Sequence, residues 1–351
     1  MLFRSMMTYF LSFFVLSFVM TGIARRFALW RHATSIPEFR HHHLEPVPRG
    51  GGIALVLVMI ALNLIMYRYR LIDIATTRSL CFSGIFLLIG CLVHDLHPLP
   101  RWGRLLLQAG AATLAMVWFS RDLIVIILDG YWYLSGWWMP VLVLWLLGAI
   151  KLNNVMNQVD GMVASQAFSM MFASACLLAI SRELAWSVPL VLVCAPILGF
   201  LAWNWPPARI NMGRTGSSFL GLFINLMGMH LAGDTSINPW VWIILMSVFC
   251  SDVVTTLLYR LVTGQQWRPS RHKLHTYQLL AREWDSHFLV TLLLCALNWV
   301  WLFPLAWLAM DFERYGLFIW LVAMLPLVAG NLYVQWRHRE EEPDHHASMS
   351  L

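Results

Sequence analysis

Long apolar stretches, interrupted by short polar ones, follow one another along almost the whole of this chain. A helix needs about 20 residues to cross a bilayer. Stretches near that length lie at 6–24, 50–67, 79–93, 104–119, 138–153, 162–180, 186–203, 217–233, 239–260, 286–306 and 316–335. The pattern predicts an all-α, polytopic membrane protein with about eleven transmembrane helices. They form a single domain over 1–335, followed by a cytoplasmic tail over 336–351. The first run lacks a basic leader and a small-x-small cleavage pattern, so it reads as a span rather than a signal peptide. Residues 120–137 (SRDLIVIILDGYWYLSGW) are too broken to cross and read as an interfacial turn or a short hairpin.

One interruption stands apart. Residues 203–221, WNWPPARINMGRTGSSFLG, lie between two apolar segments yet hold Pro206, Pro207, Gly213, Gly216, two serines and two arginines. Backbone of this kind is tolerated at membrane depth only where protein or a water-filled site covers it. Gly213 and Gly216 flank Arg214 and Thr215, with Ser217 and Ser218 at the start of the next helix. That arrangement suits backbone N–H groups aimed at an anion.

Composition agrees with the pattern. The chain of 351 residues is 59% apolar and 12% charged, where soluble domains carry about 25% charge. A sizeable soluble domain is excluded. The formal charge of +6 reads as membrane topology and not as nucleic-acid binding. With residues 25–49 inside, 17 of the 24 basic residues fall on the cytoplasmic face. The odd number of spans then puts every unusual loop on that face. The six cysteines lie in apolar stretches without a C-x-x-C pair, so neither disulfides nor metal clusters are expected.

The remaining cytoplasmic loops carry further candidates. Arg49 precedes three glycines, Gly50 to Gly52, which permit close approach of backbone or ligand. Adjacent His41, His42 and His43 point apart and make a poor metal site. Asp95, beside His94 at the end of an apolar span, is expensive to place and is a functional candidate for that reason. Asn153, Asn154, Asn157, Gln158 and Asp160 crowd one turn into a surface suited to a sugar or base. Arg271, His272, Lys273 and His275 form a cationic group, and His272 and His275 at i and i+3 can share a helix face.

Together these segments resemble the polyprenyl-phosphate N-acetylhexosamine-1-phosphate transferases. The residues carrying the resemblance are PVPRGGGIA, the aspartate after the third span with RLLLQ beyond it, NVMNQVDG, WNWPPARINMGRTGS and RHKLHTYQ, over roughly residues 35 to 280. The resemblance implies a bacterial inner-membrane enzyme with its site on the cytoplasmic face. Such an enzyme uses Mg²⁺ and moves a sugar-1-phosphate from a UDP-sugar to undecaprenyl phosphate, releasing UMP. Asp95, Asp160 and His272 are then the catalytic candidates, with Asp95 and Asp160 also the candidate metal ligands. Arg49, Asn154, Asn157, Arg214, Ser217, Arg271 and His275 are the substrate-binding candidates. Membrane lipid is a further partner, and a homodimer is left open.

The departures from the family pattern are specific. His94-Asp95 stands where an Asp pair is usual, Asn157 replaces the first aspartate of M-D-G-I-D-G, and Arg214 replaces the aspartate of M-G-D-x-G-S. An arginine about 4 Å from a divalent cation is repelled by roughly 8 kcal/mol at an effective dielectric near 20. Either Arg214 points away, or its guanidinium stands in for the metal and holds phosphate itself, or the chain is a catalytically inactive relative that still binds lipid phosphate or nucleotide sugar.

The basic asymmetry yields a topological expectation. Residues 25–49, 94–103, 154–161, 204–216 and 262–285 should all be inaccessible from outside intact cells. Labelling single cysteines with an impermeant reagent checks this, and outside labelling near residue 272 would separate the loops and undo the shared site.

Overall fold

The computed structural model describes residues 2–31, 34–35, 47–119, 123–127, 130–134, 136–262 and 275–340. Helices account for nearly all of them. They are α1 (Leu2–Trp30), α2 (Gly51–Arg68), α3 (Ile74–Leu96), α4 (Arg101–Trp118), α5 (Met139–Met156), α6 (Met162–Ile180) and α7 (Leu184–Asn204). Then come α8 (Gly213–Asp234), α9 (Pro239–Leu245), α10 (Ser247–Val262), α11 (Thr276–Glu283), α12 (His287–Ala296), α13 (Phe303–Asp311) and α14 (Gly316–Glu340). Two small antiparallel pairs complete the described chain. β1 (Thr34–Ser35) pairs with β2 (Val47–Pro48), and β3 (Leu123–Ile127) pairs with β4 (Gly130–Leu134). The second pair is the hairpin alternative for residues 120–137.

Eight helical segments among the described residues are long and apolar enough to cross a membrane, nine if the pair α9 and α10 counts as one span bent by 67°. The expected eleven is thus met in part. The other two expected stretches, α4 and α8, are helices of 18 and 22 residues but fall short of the same apolar standard. For α8 the reason is its position. It lies inside the bundle against α2, α3, α5 and α6, and residues 215–231 are all buried. A helix surrounded by protein can carry Ser217, Ser218, Asn225 and His230 where a lipid-facing one could not.

The entrance to α8 is fixed by glycine. A β-carbon on Gly52 would lie 2.4 Å from the Met212 carbonyl oxygen and 2.5 Å from Gly216 Cα. The start of α2 therefore presses directly on the start of α8. Gly51 N–H donates to Asn211 O at 3.1 Å, Gly52 N–H to Met212 O at 2.9 Å, and Asn211 N–H to Pro48 O at 2.9 Å. These bonds satisfy loop backbone that would otherwise be exposed to the apolar surroundings. The glycine run thus serves backbone approach, and Gly50 caps α2 with a φ of 104°.

Replacing Gly52 or Gly216 by alanine is expected to lower the melting temperature of detergent-solubilised protein, at a cost of about 1–3 kcal/mol for overpacking. Gly148→Ala is the control, since a β-carbon there meets nothing within 4 Å. Equal melting temperatures for all three variants would contradict the close packing.

Candidate active site

Three helix ends converge at one end of the bundle: the C-terminal ends of α3 and α5 and the N-terminal end of α8. The Asn154 carboxamide joins two of them. Its Oδ1 accepts from Ser217 Oγ at 2.6 Å and Ser218 Oγ at 3.1 Å, and its Nδ2 donates to Ser218 Oγ at 2.8 Å. Both serines are fully buried, so their hydroxyls knit helices together and do not point at an open surface. Asn157 Nδ2 donates to Gly213 O at 3.0 Å, which pins the turn after α5 to the first residue of α8. Arg49 pairs in a parallel bridge with Asn211 and so borders the same entrance.

Arg214, exposed in the first turn of α8, reaches α3. Its Nη1 lies 2.9 Å from His94 Nε2. The other ring nitrogen, Nδ1, accepts the Leu99 N–H at 2.8 Å. An amide N–H can only donate, so Nδ1 is the acceptor and the neutral ring carries its proton on Nε2. Nε2–H and the guanidinium then face each other as two donors, an arrangement that an anionic oxygen between them would relieve. Two further cations stand nearby. Lys151 on α5 lies within charge–charge range of both Arg104 and Arg214. Like charges within that range repel, so this region favours a bound anion.

The other predicted residues are spread around that centre. Asp160 is almost fully buried behind it. Its carboxylate accepts the Ala208 N–H at 3.2 Å and lies 3.4 Å from His287 Nδ1. Its backbone carbonyl accepts from Thr291 Oγ1 at 2.9 Å. The aspartate thereby ties the turn after α5 to the loop before α8 and to α12. Asp95 closes α3 next to His94. Arg271 and His272 lie outside the described residues.

His275 differs from expectation. It is the extended N-cap of α11, with φ −77° and ψ 156°, and therefore does not lie on a helix face. The cause is Asp252 on α10, whose carboxylate accepts from His275 Nδ1 and from the Thr276 N–H, each at 2.8 Å. α11 is held to the α5 turn by Tyr277, whose hydroxyl donates to Val155 O at 2.7 Å, and by Gln278, which donates to Gln158. Burial, with Asp252 close by, pushes the Tyr277 hydroxyl well above the usual tyrosine range, so it stays protonated and donating at any working pH. Asp252 and His287 escaped the sequence reading. A signal for Asp252 was present, because a carboxylate inside an apolar span is a functional candidate by default.

These residues do not fit a magnesium ion. Mg²⁺ takes hard oxygen ligands, commonly carboxylates. Among the described residues no group of three or more His, Cys, Asp or Glu is placed to hold a metal. His94 and Arg214 point at one another, and Asn157 spends its amide on Gly213.

Comparison with known proteins bears on this geometry directly. Residues 77–232 match the glycosyl transferase family 4 profile. Over this stretch the chain is similar to glycosyl transferase family 4. It is 28% identical over 254 residues to a probable undecaprenyl-phosphate N-acetylglucosaminyl 1-phosphate transferase of Bacillus subtilis, covering 70% of this chain and 69% of that one. It is 27% identical over 282 residues to the phospho-N-acetylmuramoyl-pentapeptide-transferase of Levilactobacillus brevis, covering 74% and 85%. It is 24% identical over 319 residues to the decaprenyl-phosphate N-acetylglucosaminephosphotransferase of Mycolicibacterium smegmatis, covering 80% and 76%. The stretch matching family 4 runs from α3 to α8, so it takes in all three converging helix ends and leaves Asp252 and His275 beyond it.

Asp252→Asn is expected to destabilise the α10–α11 junction, because an amide cannot accept from both His275 and Thr276 while presenting no donor to them. Bonds to a charged acceptor contribute about 1.5–3 kcal/mol, which should appear as a melting-temperature drop of several degrees in detergent. An unchanged melting temperature would mean that Asp252 does not hold α11.

Proposed function

We propose that this chain transfers a sugar-1-phosphate, that of an N-acetylhexosamine, from a UDP-sugar to undecaprenyl phosphate, beginning the synthesis of a cell-envelope glycan. The setting proposed is a bacterial inner membrane crossed eleven times, with the site on the cytoplasmic face. The observation that carries this reading is the coincidence of the family 4 stretch with a cationic, amide-rich convergence of helix ends. In the reaction an oxygen of the lipid phosphate attacks the sugar-bearing phosphorus. The bond from that phosphorus to the bridging oxygen breaks, and UMP leaves with the electron pair.

Such chemistry is mostly positioning and charge stabilisation. In this reading Asp95 orients the lipid phosphate, and His272 and His275 hold the diphosphate with Arg271. Arg49 and Arg214 add positive charge, while Asn154, Asn157 and Ser217 fix the helix ends on which those charges sit. Asp160 acts through the loop before α8. Magnesium, which the resemblance implies, finds no matching set among the described residues, and no step is routed through it. The Arg214–His94 contact also favours a second reading, a non-transferring relative that binds the same ligands.

Incubating purified protein with undecaprenyl phosphate and a panel of UDP-sugars, and measuring UMP, separates the two. Release is expected with a UDP-N-acetylhexosamine. Asp95→Asn and His272→Ala should each lower kcat and kcat/KM together, by about 100-fold or more. Absence of UMP with every sugar would sink the transferase reading and leave the binding one.

A further inference from the structure

Among the described residues, no ion pair engages the cations gathered at the start of α8. Ion pairs between described residues lie elsewhere, among them His230 with Asp73 and Asp234, His275 with Asp252, His287 with Asp160, and Arg337 and His338 with Glu283. None involves Arg104, Lys151 or Arg214. Arg104 Nε is buried without a hydrogen-bond partner among the described residues. Lys151 faces the charges of both arginines, and Arg214 meets the protonated edge of His94 at 2.9 Å. Arg214 also sits in the first turn of a 22-residue helix that has no side-chain cap, where the helix dipole adds positive potential. An oxyanion beside Arg214 and His94 would accept from the guanidinium, and the positive charge of Lys151, itself in charge–charge range of Arg104 and Arg214, would favour it.

We infer that Arg214, His94, Lys151 and Arg104 form a phosphate-oxygen site that works without a divalent metal, guanidinium and ammonium groups taking the role that carboxylate-bound magnesium would have. Arginine suits this position because it stays ionised and offers a planar fork to two phosphate oxygens. It supplies charge and orientation but not Lewis acidity. The ligand class is a phosphate mono- or diester oxyanion, available either from a nucleoside diphosphate or from a polyprenyl phosphate. The inference deepens the proposed transferase reading and rests on it for the choice of those two sources.

Isothermal titration of the purified full chain in detergent tests it, with UDP in one arm and farnesyl phosphate in the other. Each arm is run in EDTA and again with saturating Mg²⁺. At least one probe should bind in EDTA, with Kd changing by less than about twofold when magnesium is added, because no metal bridges protein and phosphate. The arm that binds identifies the source, and binding in both assigns the shared phosphate group. Arg214→Gln and Lys151→Gln should each weaken binding about tenfold or more, and Arg214→Lys, which keeps the charge and loses the fork, should fall between. Monodisperse elution and an unaltered melting temperature show that the variants remain folded.

Loss of binding in EDTA, no binding under either condition, or wild-type affinity in folded Arg214→Gln and Lys151→Gln would each overturn the site. The transferase reading fails separately. EDTA-resistant binding without UMP release would keep the site and remove the reaction, whereas magnesium-dependent UMP release with EDTA-sensitive binding would do the reverse.

Discussion

The contact between the starts of α2 and α8 is the constraint on which the polar end of the bundle depends. No β-carbon fits between Gly52 and the Met212–Gly216 turn, and the loop before α8 completes part of its backbone bonding by reaching Pro48, Gly51 and Gly52. Irregular backbone is costly in apolar surroundings unless every N–H and C=O is satisfied. Here a loop containing two prolines is satisfied by a neighbouring helix end. The result is a fixed starting direction for α8. Arg214 is delivered to His94, Ser217 and Ser218 to Asn154, and the Gly213 carbonyl to Asn157.

A second layer of buried polar bonds holds the surrounding turns. Asp160 accepts from the loop before α8, and its own carbonyl accepts from Thr291 on α12. Asp252 accepts from the first residues of α11. Removing one member of such a buried set strands the other without water to replace it, which makes these links stiffer than surface ion pairs of the same length. The stiffness serves function as well. Phosphoryl transfer asks the protein for charges held at fixed positions, because reorganising them during the reaction would cost what their attraction contributes.

Electrostatics then bears on how this end of the bundle would hold a phosphate. Carboxylates and a divalent cation form a neutralising set that an added phosphate completes. Arginine, lysine and an imidazole N–H form a positive set that phosphate alone completes. Both arrangements can hold a phosphate, but substituting a single residue does not convert one into the other. Arg214, Lys151 and Arg104 lie on the same side of the charge balance.

Much of this was legible in the residues themselves. Apolar runs near the length of a bilayer crossing fix helices and their boundaries locally, since each run must satisfy its own backbone bonds. The proline- and glycine-rich stretch before α8 marked itself as covered backbone, and the hairpin at 123–134 was signalled by a run too broken to cross. The departures expected at His94, Asn157 and Arg214 came from the resemblance to the family pattern, as did the expected conflict between Arg214 and a metal. Sequence could not decide which polar side chains meet. Asn154 and Ser217, read as ligand contacts, bond to each other. His275 leaves the helix face because a carboxylate 23 residues earlier claims its ring and the next N–H. Lys151 and Arg104 belong to ordinary helix ends until packing brings them to Arg214. Likewise 217–233 reads as a span by length, yet α8 falls short of the apolar standard for one, and its burial against α2, α3, α5 and α6 explains why it can be so polar. Hydropathy is a property of each segment alone. Partner choice among buried polar groups depends on distances set by glycine contacts far apart in the chain, and those exist only once the bundle has closed.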